Sequence, residues 1–466
     1  MQPYPIHRVI GSGIVLSLGL LLAGCKVGPD FTSPEVATPA NWTSPAAVTE
    51  SEPNLIQWWT RFGDEQLTSL VERAMESSLD LKQARSRIRQ ARASRAVASS
   101  WLWPSADVSG SAIRGRTAAG NTDNLYQTGL DAGWELDIFG GTRRDIEAAE
   151  AQIAAAEEDL RDVWVTLAAE VALNYIDLRG YQQEIEILHR NLQTQQKTAD
   201  LTRQRANAGL VSALDVVTAE SQVATTSAQL PTLESAVRQT IYILSVLLGS
   251  EPSALLAELD PVGAIPTAMS QPPLGVPSEL LRRRPDIRRA EAQVHAATAA
   301  IGVATADLFP RITLTGSAGF SNIHSNDLFD WDRRIWSAGP SASWSIFNAG
   351  RIQANIEIQK ALQEQYLLAY QQTVLAALRD VESALTAATK EQEHRDALQR
   401  VVDANRRAVE LSTQLYTEGE TDFLNVLTTQ RALFSAEDAL VNSNRTISTN
   451  IVALYKALGG GWEENL

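Results

Sequence analysis

Among the residues able to form a covalent bond, one thiol stands apart. Cys25 is the only cysteine in 466 residues, so no internal disulfide can form. It follows Leu22-Ala23-Gly24 at the end of an apolar stretch, Val9 to Leu22, which itself follows a weakly basic start at His7 and Arg8. That stretch is too short to span the ~30 Å of bilayer hydrocarbon. Residues 1–24 therefore read as a secretory signal, and Leu22 to Cys25 resembles a bacterial lipobox, which would make Cys25 the acylated mature N-terminus. The expected covalent lipid on Cys25 is the only prosthetic addition; no cofactor and no metal are expected. Lys26 stands where, in many Gram-negative lipoproteins, a residue other than Asp goes with delivery to the outer membrane.

Other candidate chemistry is sparse. The five histidines, His7, His189, His295, His324 and His394, are scattered, with neither metal-ligand spacing nor a nucleophile elbow nearby, so the chain does not read as an enzyme. A formal net charge of -15 opposes nucleic-acid binding, because phosphates would be repelled. The cluster Arg282 to Arg284 suggests an anion site. Pro285 and Asp286, well suited to the first turn of a helix, give it a structural explanation instead.

The elements that position these residues come from a duplication. Leu79-Asp80-Leu81 matches Pro285-Asp286-Ile287, Pro104 matches Pro310, and Gly110-Ser111-Ala112 matches Gly316-Ser317-Ala318, all 206 residues apart. Phe139 and Arg143 match Phe347 and Arg351 at 208, and Gly209 and Leu248-Gly249 match Gly419 and Leu458-Gly459 at 210. A Pro-rich linker over 251–277 divides the first repeat, 57–250, from the second, 278–458. Residues 25–56 form an N-terminal segment and 459–466 a tail.

Within each repeat the hydrophobic period changes from helical to alternating and back. Strands are predicted at about 106–116, 124–139, 311–321 and 335–347. Tyr126, Leu130, Ala132, Trp134, Leu136 and Ile138 share one face, as do Ile312, Leu314, Ala318 and Phe320, with Trp336, Ala338, Ala342, Trp344 and Ile346 on the next strand. Ser, Thr, Gln, Asp and Glu occupy the other. Nothing after Cys25 has the run of 18 or more apolar residues needed for a membrane helix, so a span must be a β-barrel. One hairpin per repeat is marginal alone, and four strands are too few to close a membrane barrel. Chains must share one: two would supply eight strands and three twelve, and the arithmetic leaves both open.

The helices are long. Spans 142–208 and 351–418 contain no proline, so each would reach ~100 Å. Ile358, Leu362, Tyr366, Tyr370, Val374, Ala377, Val381, Ala384 and Ala388 form a coiled-coil-like seam. Shorter helices return over 213–248 and 423–458, and others are predicted from Asp64 to Trp103 and from Ser278 to Phe309. The long helices end at Gly209 and Gly419, where glycine supplies a left-handed C-cap, and Ser212 or Thr421 can cap the helix that follows.

Several segments together resemble the TolC/OprM-like outer membrane factor family, in its NodT-type lipoprotein branch. They are Cys25-Lys26-Val27-Gly28-Pro29-Asp30-Phe31, Trp134-Glu135-Leu136-Asp137-Ile138-Phe139-Gly140, Leu281-Arg282-Arg283-Arg284-Pro285-Asp286-Ile287, Phe309 to Gly316, and Leu458-Gly459-Gly460-Gly461-Trp462. The resemblance implies a homotrimer with one twelve-stranded outer-membrane barrel, continued by a twelve-helix periplasmic tunnel. It implies an equatorial belt around 30–57 and 251–277. It also implies a tripartite efflux system that exports small molecules such as drugs, with a periplasmic adaptor (membrane fusion protein) and an inner-membrane pump of the resistance-nodulation-division type.

By the same resemblance, adaptor hairpins dock on the turns at Gly209, Leu210, Val211, Ser212 and Asp215, and at Gly419, Thr421 and Asn425. Leu424, Thr428 and Arg431 fall in the aperture segment. Relatives usually carry aspartate at the position of Thr428; three hydroxyls attract cations less than three carboxylates do. Arg431 reads equally as a partner for a bond across a subunit contact or as a solvated surface arginine. A type I protein-secretion duct is the alternative within transport, and a non-conducting envelope scaffold the alternative outside it.

Overall fold

A computed structural model describes residues 26–43, 55–116, 120, 122–268 and 277–462. The signal peptide, Cys25, residues 44–54, the part of the linker over 269–276 and the end of the tail lie outside the described residues. The chain is mainly α with one antiparallel sheet. In the first repeat, α1 (Glu65–Ser77) and α2 (Leu79–Ser100) lead into β1 (Ser105–Arg116) and β2 (Thr122–Leu136). Helices α3 (Gly141–Asn207), α4 (Ala213–Ser227) and α5 (Leu230–Leu247) follow. After a short α6 (Leu256–Leu259), the second repeat places α7 (Glu279–Arg283) and α8 (Pro285–Ala306) before β3 (Arg311–Asn322) and β4 (Arg334–Ser343), then α9 (Arg351–Glu418) and α10 (Phe423–Ala457).

Three predicted helices are broken. Residues 64–103 divide at Ser78, whose backbone is extended (ψ 134°) and whose hydroxyl accepts from the Asp80 amide. Residues 278–309 divide at Arg284, which is extended because a following proline disfavours helical geometry. Residues 213–248 divide at Ala228–Gln229, where Pro231 opens the next helix. Helix α10 has no such break. The fourth strand ends at Ser343, so Trp344, Ile346 and Phe347 continue the alternation outside the ladder.

The two hairpins do not stay apart. Strands β2 and β3 pair antiparallel, giving one sheet in the order β1-β2-β3-β4. Its register aligns the apolar faces across the duplication: Val108, Leu130, Ala318 and Trp336 are successive partners, and so are Trp134, Leu314 and Pro340. The other face aligns Asp107, Asp131, Ser317 and Ser337. Val108, Leu130, Leu314 and Trp336 are exposed. Two equivalent tryptophans tie strand ends to the chain before each hairpin: Trp134 donates to the Leu102 carbonyl at 2.9 Å and Trp344 to the Leu308 carbonyl at 3.0 Å.

The chain divides into two compact units. One holds the segment to Val36, Ser86–Glu157 and Arg288–Gln372, and so contains the sheet; the other holds Ala37–Arg85, Glu158–Ile287 and Thr373–Leu466. In the second unit, Trp58 stacks on Tyr455 at 5.1 Å. The linker is pinned there, because Arg179 donates to the Pro261 carbonyl, Gln182 to the Leu259 carbonyl and Ser448 to the Pro266 carbonyl. Arg284 donates to the Ala457 carbonyl and pairs with Asp286, which bears out a structural reading of that arginine. Among the described residues, no helix is long and apolar enough to cross a membrane.

Candidate functional site at the helix turns

Both long helices end in the same way, in the second unit. Gly209 (φ +74°) donates to the Ala206 carbonyl and Leu210 to the Arg205 carbonyl; Gly419 (φ +85°) donates to Tyr416 and Glu420 to Leu415. These paired bonds are the Schellman motif, which satisfies orphan carbonyls and requires positive φ at the glycine. At the first turn, Ser212 and Asp215 form a reciprocal capping box. At the second, the cap is not Thr421 but Asp422, whose carboxylate accepts from the Asn425 amide at 3.1 Å. A carboxylate is the better anion for the positive end of a helix. Thr421 instead accepts from the Asn425 side chain at 2.8 Å.

Both turns present apolar side chains to solvent. Leu210, Leu214 and Val217 at the first and Leu424 at the second are each more than 60% exposed. Val211, Ser212 and Asp215 lie beside them at the first turn, Asn425 at the second. Beneath, Ala199, Ala219, Tyr416, Phe423, Val426 and Leu427 form a buried cluster that draws on α3, α4, α9 and α10. The turns of the two repeats thus share one core.

Polar bonds also cross between the repeats. Arg205, in the last turn of α3, donates to the carbonyls of Tyr416 at 2.5 Å and Thr417 at 3.3 Å, and its guanidinium lies 4.7 Å from the Tyr416 ring centre. It therefore caps the negative end of α9 from outside. Gln430 donates to Thr198 at 2.9 Å within the core, and the Tyr416 hydroxyl to Thr202 at 3.3 Å. Nearby, Arg203 donates to Glu220 and Asp200, and these carboxylates, Glu220 first, raise its guanidinium above its ordinary value. None of these residues was singled out from sequence; the one local signal was the basic side chain of Arg205 at a helix C-terminus.

The three residues expected at an aperture, Leu424, Thr428 and Arg431, share the first turns of α10. Leu424 is exposed. Thr428 spends its hydroxyl proton on the Leu424 carbonyl of its own helix at 2.8 Å, so it adds no free donor. Arg431 donates through Nε to the Gln222 side chain at 2.6 Å, a bond within the chain between α10 and α4. The anticipated partner across a subunit contact is thus met, for this nitrogen, by the chain itself.

Comparison with known proteins agrees with this architecture. Residues 70–250 and 276–460 match the family model described as outer membrane efflux protein. The chain is 33% identical over 447 residues to nodulation protein T of Rhizobium leguminosarum bv. viciae, which covers 96% of this chain and 92% of that one. It is 33% identical over 463 residues to the pyoverdine export outer membrane protein OpmQ of Pseudomonas aeruginosa, covering 97% of each. The solved structure of the outer-membrane channel OprN superposes with a TM-score of 0.87 at 37% identity, over 94% of this chain and all of that one.

Proposed function

The chain belongs to the outer membrane efflux protein family, and from that premise we propose that it is the channel subunit of a tripartite efflux system, exporting small molecules to the exterior. The observation that carries this reading is the sheet. Its four strands are aligned so that the exposed apolar side chains of Val108, Leu130, Leu314 and Trp336 share one face, while Asp107, Asp131, Ser317 and Ser337 line up on the other. Strands β1 and β4 are its edges. In a bilayer each edge must be paired, and a second copy supplies the matching one. Three copies close a twelve-stranded barrel with Ser, Thr and Asp toward the lumen and Val, Leu and Trp toward lipid.

The long helices continue the duct into the periplasm, and the lipid on Cys25 anchors each subunit in the outer membrane. The paired turns receive adaptor hairpins, since their apolar tips stand on a shared rigid core. The adaptor in turn connects to a resistance-nodulation-division pump. The chain itself performs no chemistry on its cargo: it supplies a walled path, and the energy comes from the pump. The reading is tested by cross-linking the protein in cells and identifying what co-purifies. An adaptor and a drug-type pump are expected; a peptidase-linked secretion ATPase in their place would overturn the small-molecule assignment.

A further inference from the structure

The residues that follow Cys25 are held far more tightly than a linker to a lipid requires. In the first unit, the Val27 amide donates to the Phe139 carbonyl at 3.2 Å, three residues beyond the end of β2. Arg144, on the first turn of α3, has a side chain only 1% exposed and reads the segment with two of its three guanidinium nitrogens. Its Nε donates to the Val27 carbonyl at 3.0 Å, and Nη2 donates to the Gly28 carbonyl at 3.3 Å and to Asp30 at 2.7 Å.

The remaining guanidinium nitrogen, Nη1, binds Glu147 at 2.9 Å. Glu147 also receives Lys26 at 3.2 Å and His295 at 3.3 Å. Partial burial works against its charge, yet these three partners hold it below the usual carboxylate range. Phe31 stacks on the His295 ring at 4.3 Å, and Ser33 donates to Glu291.

The fit is steric as well. Gly28 has φ +88°, and a Cβ there would lie 2.4 Å from the Gly302 Cα. A Cβ on Gly302 would in turn meet the Arg144 side chain at 2.7 Å. Two glycines and a buried arginine thus interlock, which reserves the space for one backbone path.

From this geometry we propose that the junction of α3 and α8 is a receptor for the chain's own mature N-terminal segment, Lys26 to Phe31, and that it locks the lipid-bearing end beside the end of β2. The inference rests on the proposed acylation of Cys25 for its purpose, though not for its geometry. Cys25 is two residues before Val27, so at most about 7 Å of chain separates it from the amide bonded to Phe139. The Lys-Val-Gly-Pro-Asp-Phe run then encodes docking: an ion pair from Lys26, a close backbone approach at Gly28, a carboxylate for Arg144 at Asp30 and a ring for His295 at Phe31.

The test is limited trypsin digestion of the full-length protein in detergent, following cleavage between Lys26 and Val27 by mass spectrometry. In the wild type this bond is protected by the Glu147 ion pair and the Phe139 hydrogen bond. Arg144→Ala is expected to speed its cleavage about tenfold or more, because the open fraction of the segment rises. Asp30→Asn, which alters an exposed side chain and leaves the helices intact, is expected to speed it about threefold. Cleavage in Asp30→Asn decides the matter if Arg144→Ala fails to fold. Equal cleavage rates in the wild type and a folded variant would overturn the receptor. The mass of the released fragment that ends at Lys26 reports acylation separately, so an unacylated Cys25 would remove the lipid reading while the rates still judge the receptor.

Discussion

Replacing Arg205 by methionine keeps the volume of the side chain but removes the bonds by which the first repeat caps the second. The native guanidinium donates to two carbonyls at the end of α9 and covers the Tyr416 ring. A charge-assisted hydrogen bond contributes about 1.5–3 kcal/mol and a partly exposed cation–π contact about 0.5–1 kcal/mol. They share one side chain and do not add fully, so the local loss is about 2 kcal/mol. That corresponds to about a 30-fold larger open population of the second turn. Amide hydrogen exchange in the assembled protein reads it directly, because Gly419 and Glu420 donate to Tyr416 and Leu415 beside the lost cap. Exchange over 415–424 should accelerate about 30-fold, while 206–215, held by its own Schellman bonds and the Ser212–Asp215 box, should change less than about threefold. Unchanged exchange at the second turn, or equal acceleration at both, would refute the claim that Arg205 caps α9 across the repeats.

Three further outcomes follow from the structure. Thr428→Asp should move the reversal potential in a salt gradient toward cation selectivity, since the native hydroxyl is bonded to its own helix and contributes no charge; an unchanged potential would place Thr428 away from the narrowest point. Gly319→Ala should destabilise the assembled barrel by about 3 kcal/mol, because a Cβ there would lie 2.2 Å from the Thr128 carbonyl and 2.6 Å from the Gly129 Cα; a thermal melt equal to wild type would contradict that pairing. Glu184 is raised above the ordinary glutamate value, first by burial and further by Asp438 and Asp177, against the pull of Arg445. A raised carboxyl favours the folded state when protonated, and that contribution is lost as pH rises through the folded value. Glu184→Gln should therefore melt higher than wild type at pH 7, with the difference shrinking as pH falls toward the ordinary value of 4.5; a lower melting temperature at pH 7 would show that the Arg445 ion pair outweighs burial.

The elements were legible where local chemistry dictates them. Alternation located all four strands, and Gly209 and Gly419 located both helix ends, because no other residue accepts positive φ so readily. Breaks were missed where the signal lay inside a longer periodic run. Pro231 lies inside the periodic run 213–248 yet cannot continue the hydrogen bonding of α4, and Ser78 breaks a helix by a hydroxyl bond that serine makes only in some contexts. Alternation from Trp344 to Phe347 misled, since period-two patterning reports which face is apolar rather than where a ladder stops. The joining of β2 to β3, the Arg205 cap and the Gln222–Arg431 bond are contacts between repeats about 200 residues apart. Local pattern carries no trace of such contacts. At the two helix turns, the resemblance supplies the candidate positions, and the shared buried cluster beneath them supplies a physical reason for rigidity.

The central claim is that copies of this chain join at β1 and β4 into a conducting barrel. Single-channel recording of the purified protein in a planar bilayer tests it most directly. Discrete, ohmic current steps are predicted, each from one assembled trimer. A bilayer that stays silent at every applied voltage, with incorporated protein verified in the same membrane, would contradict it.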